Sequence, residues 1–182
     1  MQELSQPIKD KRLISQILSY YKTRSERNYL LFLMGIHTGL RISDLLQIKV
    51  RDVKGREFFV CVEQKTRKRK EVIINDELYN ALDNYCKGRQ AYEYLFRSRQ
   101  GYNSPIRRER AFQILKEASE VFGIHISCHT LRKTYGYHHY KLNKDIAELM
   151  ICFNHSSQHI TKRYIGIERE EMQKSINKLR FE

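Results

Sequence analysis

Apolar residues recur at helical spacing through most of the chain. Leu13, Ile14, Ile17, Leu18 and Tyr21 share one face of a first helix, and Tyr29, Leu30, Leu33 and Ile36 share one face of a second that stops near Thr38–Gly39. A third, short helix starts around Arg41. Between Ile48 and Ile74 the period shortens. Val60 and Val62 alternate with Cys61 and Glu63, and Val72-Ile73-Ile74 follows a charged turn from Lys65 to Lys70, which predicts a small antiparallel sheet with a basic hairpin tip. Helical spacing returns at about Glu77 to Cys86 (Leu78, Ala81, Leu82, Tyr85) and Arg107 to Phe122 (Ala111, Ile114, Leu115, Ala118), on either side of a turn-rich stretch from Ser98 to Pro105. Three more helices are predicted over His129 to Tyr140, Lys144 to Phe153 and Ser157 to Tyr164, followed by an amphipathic tail with Met172, Ile176 and Leu179. The class is mainly α with a small β insert. Only two prolines and eight glycines, with no low-complexity tract or repeat, offer no linker, so residues 1–182 read as a single domain.

Charge narrows the range of partners. Thirty-four Lys and Arg against 21 Asp and Glu leave a formal charge of +13, which favours nucleic acid or an anionic membrane surface. The longest apolar run, Tyr29 to Ile36, is far short of the roughly 20 residues that span a bilayer, and no signal-peptide pattern opens the chain. A cytoplasmic protein without a membrane partner is expected. Cys61, Cys86, Cys128 and Cys152 are widely spaced and form no metal-ligand or disulfide framework, so they read as reduced, mostly structural thiols. His138 and His139 diverge by about 100° on a helix and read as a packing and surface pair, not as metal ligands.

The candidate chemistry lies in four short pieces: Gly39-Leu40-Arg41 at a helix start, the basic hairpin, His129-Thr130-Leu131-Arg132, and Asn154-His155 with Tyr164 downstream. His129 and Arg132 are three apart and so share a helix face, where both reach one ligand. His155 and Tyr164 are nine apart, on opposite faces if one helix holds both. To act together, His155 must sit in the turn before the helix, with Ser156 or Asn154 as N-cap, and Asn tolerates the left-handed backbone such turns need.

Taken in order, Thr38-Gly39-Leu40-Arg41-Ile42-Ser43-Asp44-Leu45-Leu46, Lys65-Thr66, His129-Thr130-Leu131-Arg132-Lys133-Thr134 and His155-Ser156-Ser157 with Thr161 and Tyr164 resemble the catalytic domain of tyrosine recombinases, the phage integrase and Xer-like family. The resemblance runs through nearly the whole chain. It implies helices around a small three-stranded antiparallel sheet, double-stranded DNA as substrate, and strand exchange without a metal or nucleotide cofactor. It also implies a role for each motif residue: Arg41 and Arg132 hold the scissile phosphate, Tyr164 is the nucleophile, His129 the general base, His155 a hydrogen-bond donor to the phosphate, and Lys65 the general acid, with Lys68 its rival. Arg67, Lys68, Arg69 and Lys133 become candidate DNA contacts. Relatives commonly carry an N-terminal helical clamp domain, which is expected to be absent here.

Two matters stay open at this level. The tail packs on its own core or, by the resemblance, docks into a neighbouring protomer of a tetramer on DNA, with a monomer expected without DNA. A non-catalytic DNA-binding regulator on the same fold, or a relaxase like the type IB topoisomerases, would use the same pocket.

Overall fold

The computed structural model describes residues 5–180. Ten helices and two strands follow in the order α1 (Lys11–Lys22), α2 (Glu26–Thr38), α3 (Ile42–Leu45), α4 (Val50–Val53), β1 (Phe58–Val62), β2 (Arg69–Ile73), α5 (Asp76–Cys86), α6 (Arg108–Phe122), α7 (Cys128–Asn143), α8 (Ile146–Phe153), α9 (Gln158–Tyr164) and α10 (Glu168–Ile176) among the described residues. Local chemistry sets the boundaries. Asp10 and Ser25 accept hydrogen bonds from Arg12 N–H and Asn28 N–H to start α1 and α2, and Gly39, at φ 59°, ends α2 in the left-handed region that glycine adopts at no steric cost.

Helix α2 is the central element and packs against α1, α5 and α7. Its unbroken run Leu30–Gly35 is buried, while Tyr29 and Ile36 are half-buried, so the one-sided stripe expected from spacing becomes a helix enclosed on nearly all sides. The main core joins α1 to α6 and takes Leu131 from α7, and a second cluster gathers Tyr137, Tyr140, Leu149, Phe153, Ile165 and Ile167 under the C-terminal helices. Helix α7 is therefore shared between two cores. The second contact is close because residue 136 is glycine: a Cβ there would lie 2.6 Å from Ile165 Cγ2 and 2.8 Å from the Phe153 ring.

Two expectations need correction, and one of the two open readings of the tail falls away. The sheet has two antiparallel strands, paired from Phe58 with Ile73 to Val62 with Arg69, and no third strand joins them among the described residues. The segment before β1 is instead wound into α4, because the Asp52 carboxylate accepts a hydrogen bond from Lys49 N–H at 2.8 Å; Lys49 keeps a single isolated bridge to Tyr94. Lys144, placed inside a helix by its spacing, is left-handed at the end of α7, and Asp145 caps α8. The tail does not bury its apolar stripe in its own core: Met172, Ile176 and Leu179 are all more than half exposed. What holds α10 is polar. The Glu170 carboxylate accepts from Lys9 and Lys141, each at 2.6 Å, and from the Tyr137 hydroxyl, while Glu171 pairs with Lys162 at 2.8 Å.

Candidate active site

The turns around α2, α7, α8 and α9 bring distant motifs to one place. Arg41 is the N-cap residue of α3, just after the Gly39 turn. Arg132 lies one turn into α7 and is 5% exposed. Its guanidinium donates to the carbonyl of Gly39 and, at 3.3 Å, to that of Phe153, and it stacks 4.4 Å from the centre of the Phe153 ring. The ends of α2 and α8 thus aim carbonyl oxygens at one buried cation, as the negative end of a helix favours. Burial lowers the pKa of Arg132, and Arg41 beside it acts in the same direction. Two neighbouring cations of this kind form a receptor for a tetrahedral dianion or a phosphodiester.

His155 lies between helices, as its spacing from Tyr164 requires. Asn154 ends α8 at φ 56°, ψ 48°, and α9 begins after it. The N-cap of α9 is Ser157, which accepts from Ile160 N–H, and not Ser156 or Asn154. His155 Nδ1 lies 3.1 Å from Thr161 Oγ1, which fixes the ring and leaves its other nitrogen for a ligand. Partial burial and the charges of Arg132 and Arg41 hold the imidazole pKa below its ordinary value.

Tyr164 closes α9 on the same pocket. Its ring stands edge-on to His155 with centroids 5.1 Å apart and to Phe153 at 5.3 Å, and Lys133 Nζ lies 5.2 Å from its centre. Burial raises the phenol pKa, while Arg132 and Arg41 pull it back. Those opposing effects describe a phenol whose ionised form is welcome only beside the two arginines. His129, in the first turn of α7, keeps an exposed side chain. Partial desolvation and four cations, Lys133, Arg132, Arg108 and Arg41, lower its pKa and so favour its neutral, proton-accepting form.

The hairpin supplies the remaining candidates. Lys65 is exposed at the start of the turn, and among the described residues no hydrogen bond or ion pair holds its amine. Lys68 instead crosses to α8 and donates to Asn154 Oδ1 at 2.7 Å. Arg67 sits at the tip with φ 59°, and Arg69 is exposed on β2. Lys133 is turned inward: its amine donates to the Ser5 carbonyl at 2.6 Å, which makes it a brace within the protein in this state. A cleft of about 1330 Å³ lies between the hairpin and α7–α8, with Glu63, Lys68, Asn154 and His155 in its wall.

Two carboxylates in this region, one of them inside the first motif, were given no role by the resemblance. Asp44, 2% exposed, accepts from Gln64 N–H at 3.0 Å, immediately before Lys65. Glu63, 4% exposed, pairs with Arg41 at 2.7 Å and accepts from the Thr66 hydroxyl at 2.5 Å. The alternation Phe59, Cys61, Glu63 carries a signal for the second: Phe59 and Cys61 are the inward positions of β1 and Glu63, directly after the strand, keeps their register, while Phe58, Val60 and Val62 face out. A charged side chain in an inward register demands a buried partner.

Comparison with known proteins places the chain in a family. The model of the phage integrase family matches residues 10–171. A probable integrase/recombinase, YoeC of Bacillus subtilis, is 42% identical over 166 residues, covering 91% of this chain and 91% of that protein. A tyrosine recombinase of Pseudothermotoga lettingae is 28% identical over 90% of this chain but 58% of its own length, so the chain spans little more than half of such longer relatives. The crystal structure of XerA recombinase shares the fold, with a TM-score of 0.76 at 18% identity over 100% of this chain and 67% of that one. A XerH recombinase bound to its difH substrate in a post-cleavage complex gives 0.72 at 15% identity, over 97% of this chain and 54% of that one. With the motifs in order, the arginines and tyrosine in one pocket, and the family match over most of its length, the chain belongs to the phage integrase family, the tyrosine site-specific recombinases.

Proposed function

We propose that this domain cuts and rejoins double-stranded DNA through a covalent bond between Tyr164 and a backbone phosphate. The observation that carries the reading is the meeting of Arg41, Arg132, His155 and Tyr164 around one pocket, from four separate stretches of chain. Arg41 and Arg132 hold the non-bridging oxygens and stabilise the charge that grows on the pentacoordinate phosphorus. The Tyr164 oxygen attacks phosphorus, and its proton passes to His129, whose neutral form the surrounding cations favour. The bond to the 5′ oxygen breaks, and Lys65 at the hairpin protonates the departing oxygen. A 3′-phosphotyrosyl link and a free 5′ hydroxyl result. Attack by a 5′ hydroxyl from another strand reverses each transfer and needs no outside energy, because the ester bond is conserved.

His155 gives the phosphate a further hydrogen bond. Lys68, Arg67 and Arg69 meet the duplex backbone; phosphate contacts of this kind position the protein without reading bases. Lys68 must then exchange Asn154 for a phosphate. Recombination pairs four protomers around two duplexes, and the exposed stripe of Met172, Ile176 and Leu179 is the surface that fits a neighbouring protomer in that assembly; without DNA the protein is a monomer.

The test is direct. Incubation with DNA from the host, a detergent quench and nuclease digestion should yield a nucleotide-bearing peptide containing Tyr164. Tyr164→Phe should bind DNA as before and yield no such peptide. Strand cleavage retained by that variant would remove Tyr164 from the mechanism, and tight binding without any adduct would favour a DNA-binding regulator.

A further inference from the structure

Glu63 joins two parts of the pocket that the motifs treat as separate. One carboxylate oxygen lies 2.7 Å from Arg41 Nη1, and the other accepts from the Thr66 hydroxyl at 2.5 Å. Its backbone closes the hairpin turn as well: Glu63 N–H donates to the Lys68 carbonyl at 3.0 Å, and Arg67 N–H donates to the Glu63 carbonyl at 2.9 Å. The Thr66 oxygen in turn receives Lys68 N–H at 3.3 Å. The turn that presents Lys65 is therefore built on the residue that grips Arg41. Burial pushes this carboxyl toward its neutral form, but the hydrogen bonds from Thr66 and Arg41 and the charges of Arg41 and Arg132 outweigh it and keep the group ionised. A buried ion pair of this sort does little for net stability, yet leaves a costly unpaired charge if one partner goes. Its persistence at the substrate pocket points to geometry as its role.

We infer that Glu63 is a positioning residue that couples the phosphate-holding Arg41 to the hairpin that delivers the leaving-group proton. The inference rests on the strand-cleavage reading above. Through the carboxylate, a phosphate that draws Arg41 into line also sets the turn carrying Lys65, so proton delivery is ready only when phosphate is held. The same carboxylate is an anion beside the place where a phosphate must sit, so it weakens DNA binding while ordering the reaction.

Thr66→Val cuts the link from the carboxylate to the hairpin and leaves the Glu63–Arg41 pair and the backbone bonds of the turn in place. Two DNA substrates read the result: an ordinary phosphodiester, and one in which sulfur replaces the bridging 5′ oxygen at the cleaved bond. A departing thiolate needs no proton, since a thiol ionises near pH 8.5 and an alcohol far above it. With Thr66→Val, single-turnover cleavage of the oxygen substrate should fall about 10- to 100-fold, the order expected when a reacting group is misplaced by up to an ångström. The sulfur substrate should be cleaved within about twofold of the wild-type rate, because no proton has to be delivered. Glu63→Gln should slow the oxygen substrate too and bind DNA more tightly, which loss of folding would not do. Equal loss on both substrates, or no loss on either, overturns the coupling. If the wild-type protein cleaves neither substrate, the strand-cleavage reading falls and this inference with it; if it cleaves both and the variants match it, this inference alone falls.

Discussion

Gly136→Ala tests how closely the two halves of the pocket are fitted. Gly136 lies in α7, one turn after Arg132, and faces the ends of α8 and α9, the helices that flank the His155 turn and, in α9, carry Tyr164. An added Cβ would meet Ile165 Cγ2 at 2.6 Å and two atoms of the Phe153 ring at 2.8 Å, against 3.4 Å or more for ordinary contact, so α8 and α9 must retreat by about 0.7 Å. Overpacking a tight interior costs about 1–3 kcal/mol, and replacing glycine by alanine inside a helix returns about 0.8–1 kcal/mol. The expected balance is a loss of about 1 kcal/mol, which for a chain of this size lowers Tm by about 2–4 °C. The effect on cleavage should be larger than the effect on stability. Phe153 supplies the carbonyl and ring that hold Arg132, Ile165 follows Tyr164 directly, and a shift near an ångström costs a well-aligned reaction up to about 100-fold. Urea unfolding and single-turnover cleavage of one protein preparation give both numbers. A variant that is as stable as wild type or more so and cleaves DNA at the wild-type rate would show that the two halves are loosely fitted, and the reasoning would fail.

The remaining predictions concern charge. Because burial and neighbouring cations hold His129 below the ordinary histidine range, its basic form persists to lower pH, and single-turnover cleavage should fall only below about pH 6.5; a rate already halved between pH 8 and 7 would exclude it as the base. Glu170 is pushed up by burial, yet its hydrogen bonds from Lys141 and Lys9 hold it down at about 2. A depressed carboxyl stabilises α10 fully above its unfolded value of about 4.3 and loses that contribution as pH falls towards 2. Glu170→Gln should therefore loosen α10 at neutral pH and remove part of the further loosening in acid, read by hydrogen exchange; identical acid profiles for variant and wild type would contradict this. DNA affinity should fall with salt on a log-log slope of about 0.9 per phosphate contacted, and a flat profile would contradict an electrostatic interface.

The helices and most of the pocket were legible because they rest on local rules. The nine-residue gap from His155 to Tyr164 forced the histidine into a turn, and the structure gives Asn154 the left-handed backbone that such a turn needs. Spacing misjudged α2, since a stripe pattern does not register that α1, α3, α5 and α7 all pack against it. The third strand came from the family's pattern; Asp52 capping Lys49 is a local alternative that winds the chain into α4 before β1. Which face of β1 points inward was also hidden, because both faces carry apolar residues: Phe59 and Cys61 are buried, and Phe58, Val60 and Val62 are exposed. That ambiguity concealed Glu63. The tail stayed open for a related reason: Met172, Ile176 and Leu179 have helical spacing, but spacing does not register that carboxylates on the other side hold α10 in place.

Arg132 takes its two backbone acceptors from helix ends that belong to different cores, Gly39 at the end of α2 and Phe153 at the end of α8. The guanidinium is thus seated only while both bodies are folded and abutting, and it acts as a coincidence detector for the integrity of the whole domain. If the smaller C-terminal cluster opens alone, the arginine loses one of its seats and the tyrosine departs with the helices that unfold. A partly unfolded molecule then loses the pocket before the larger core gives way.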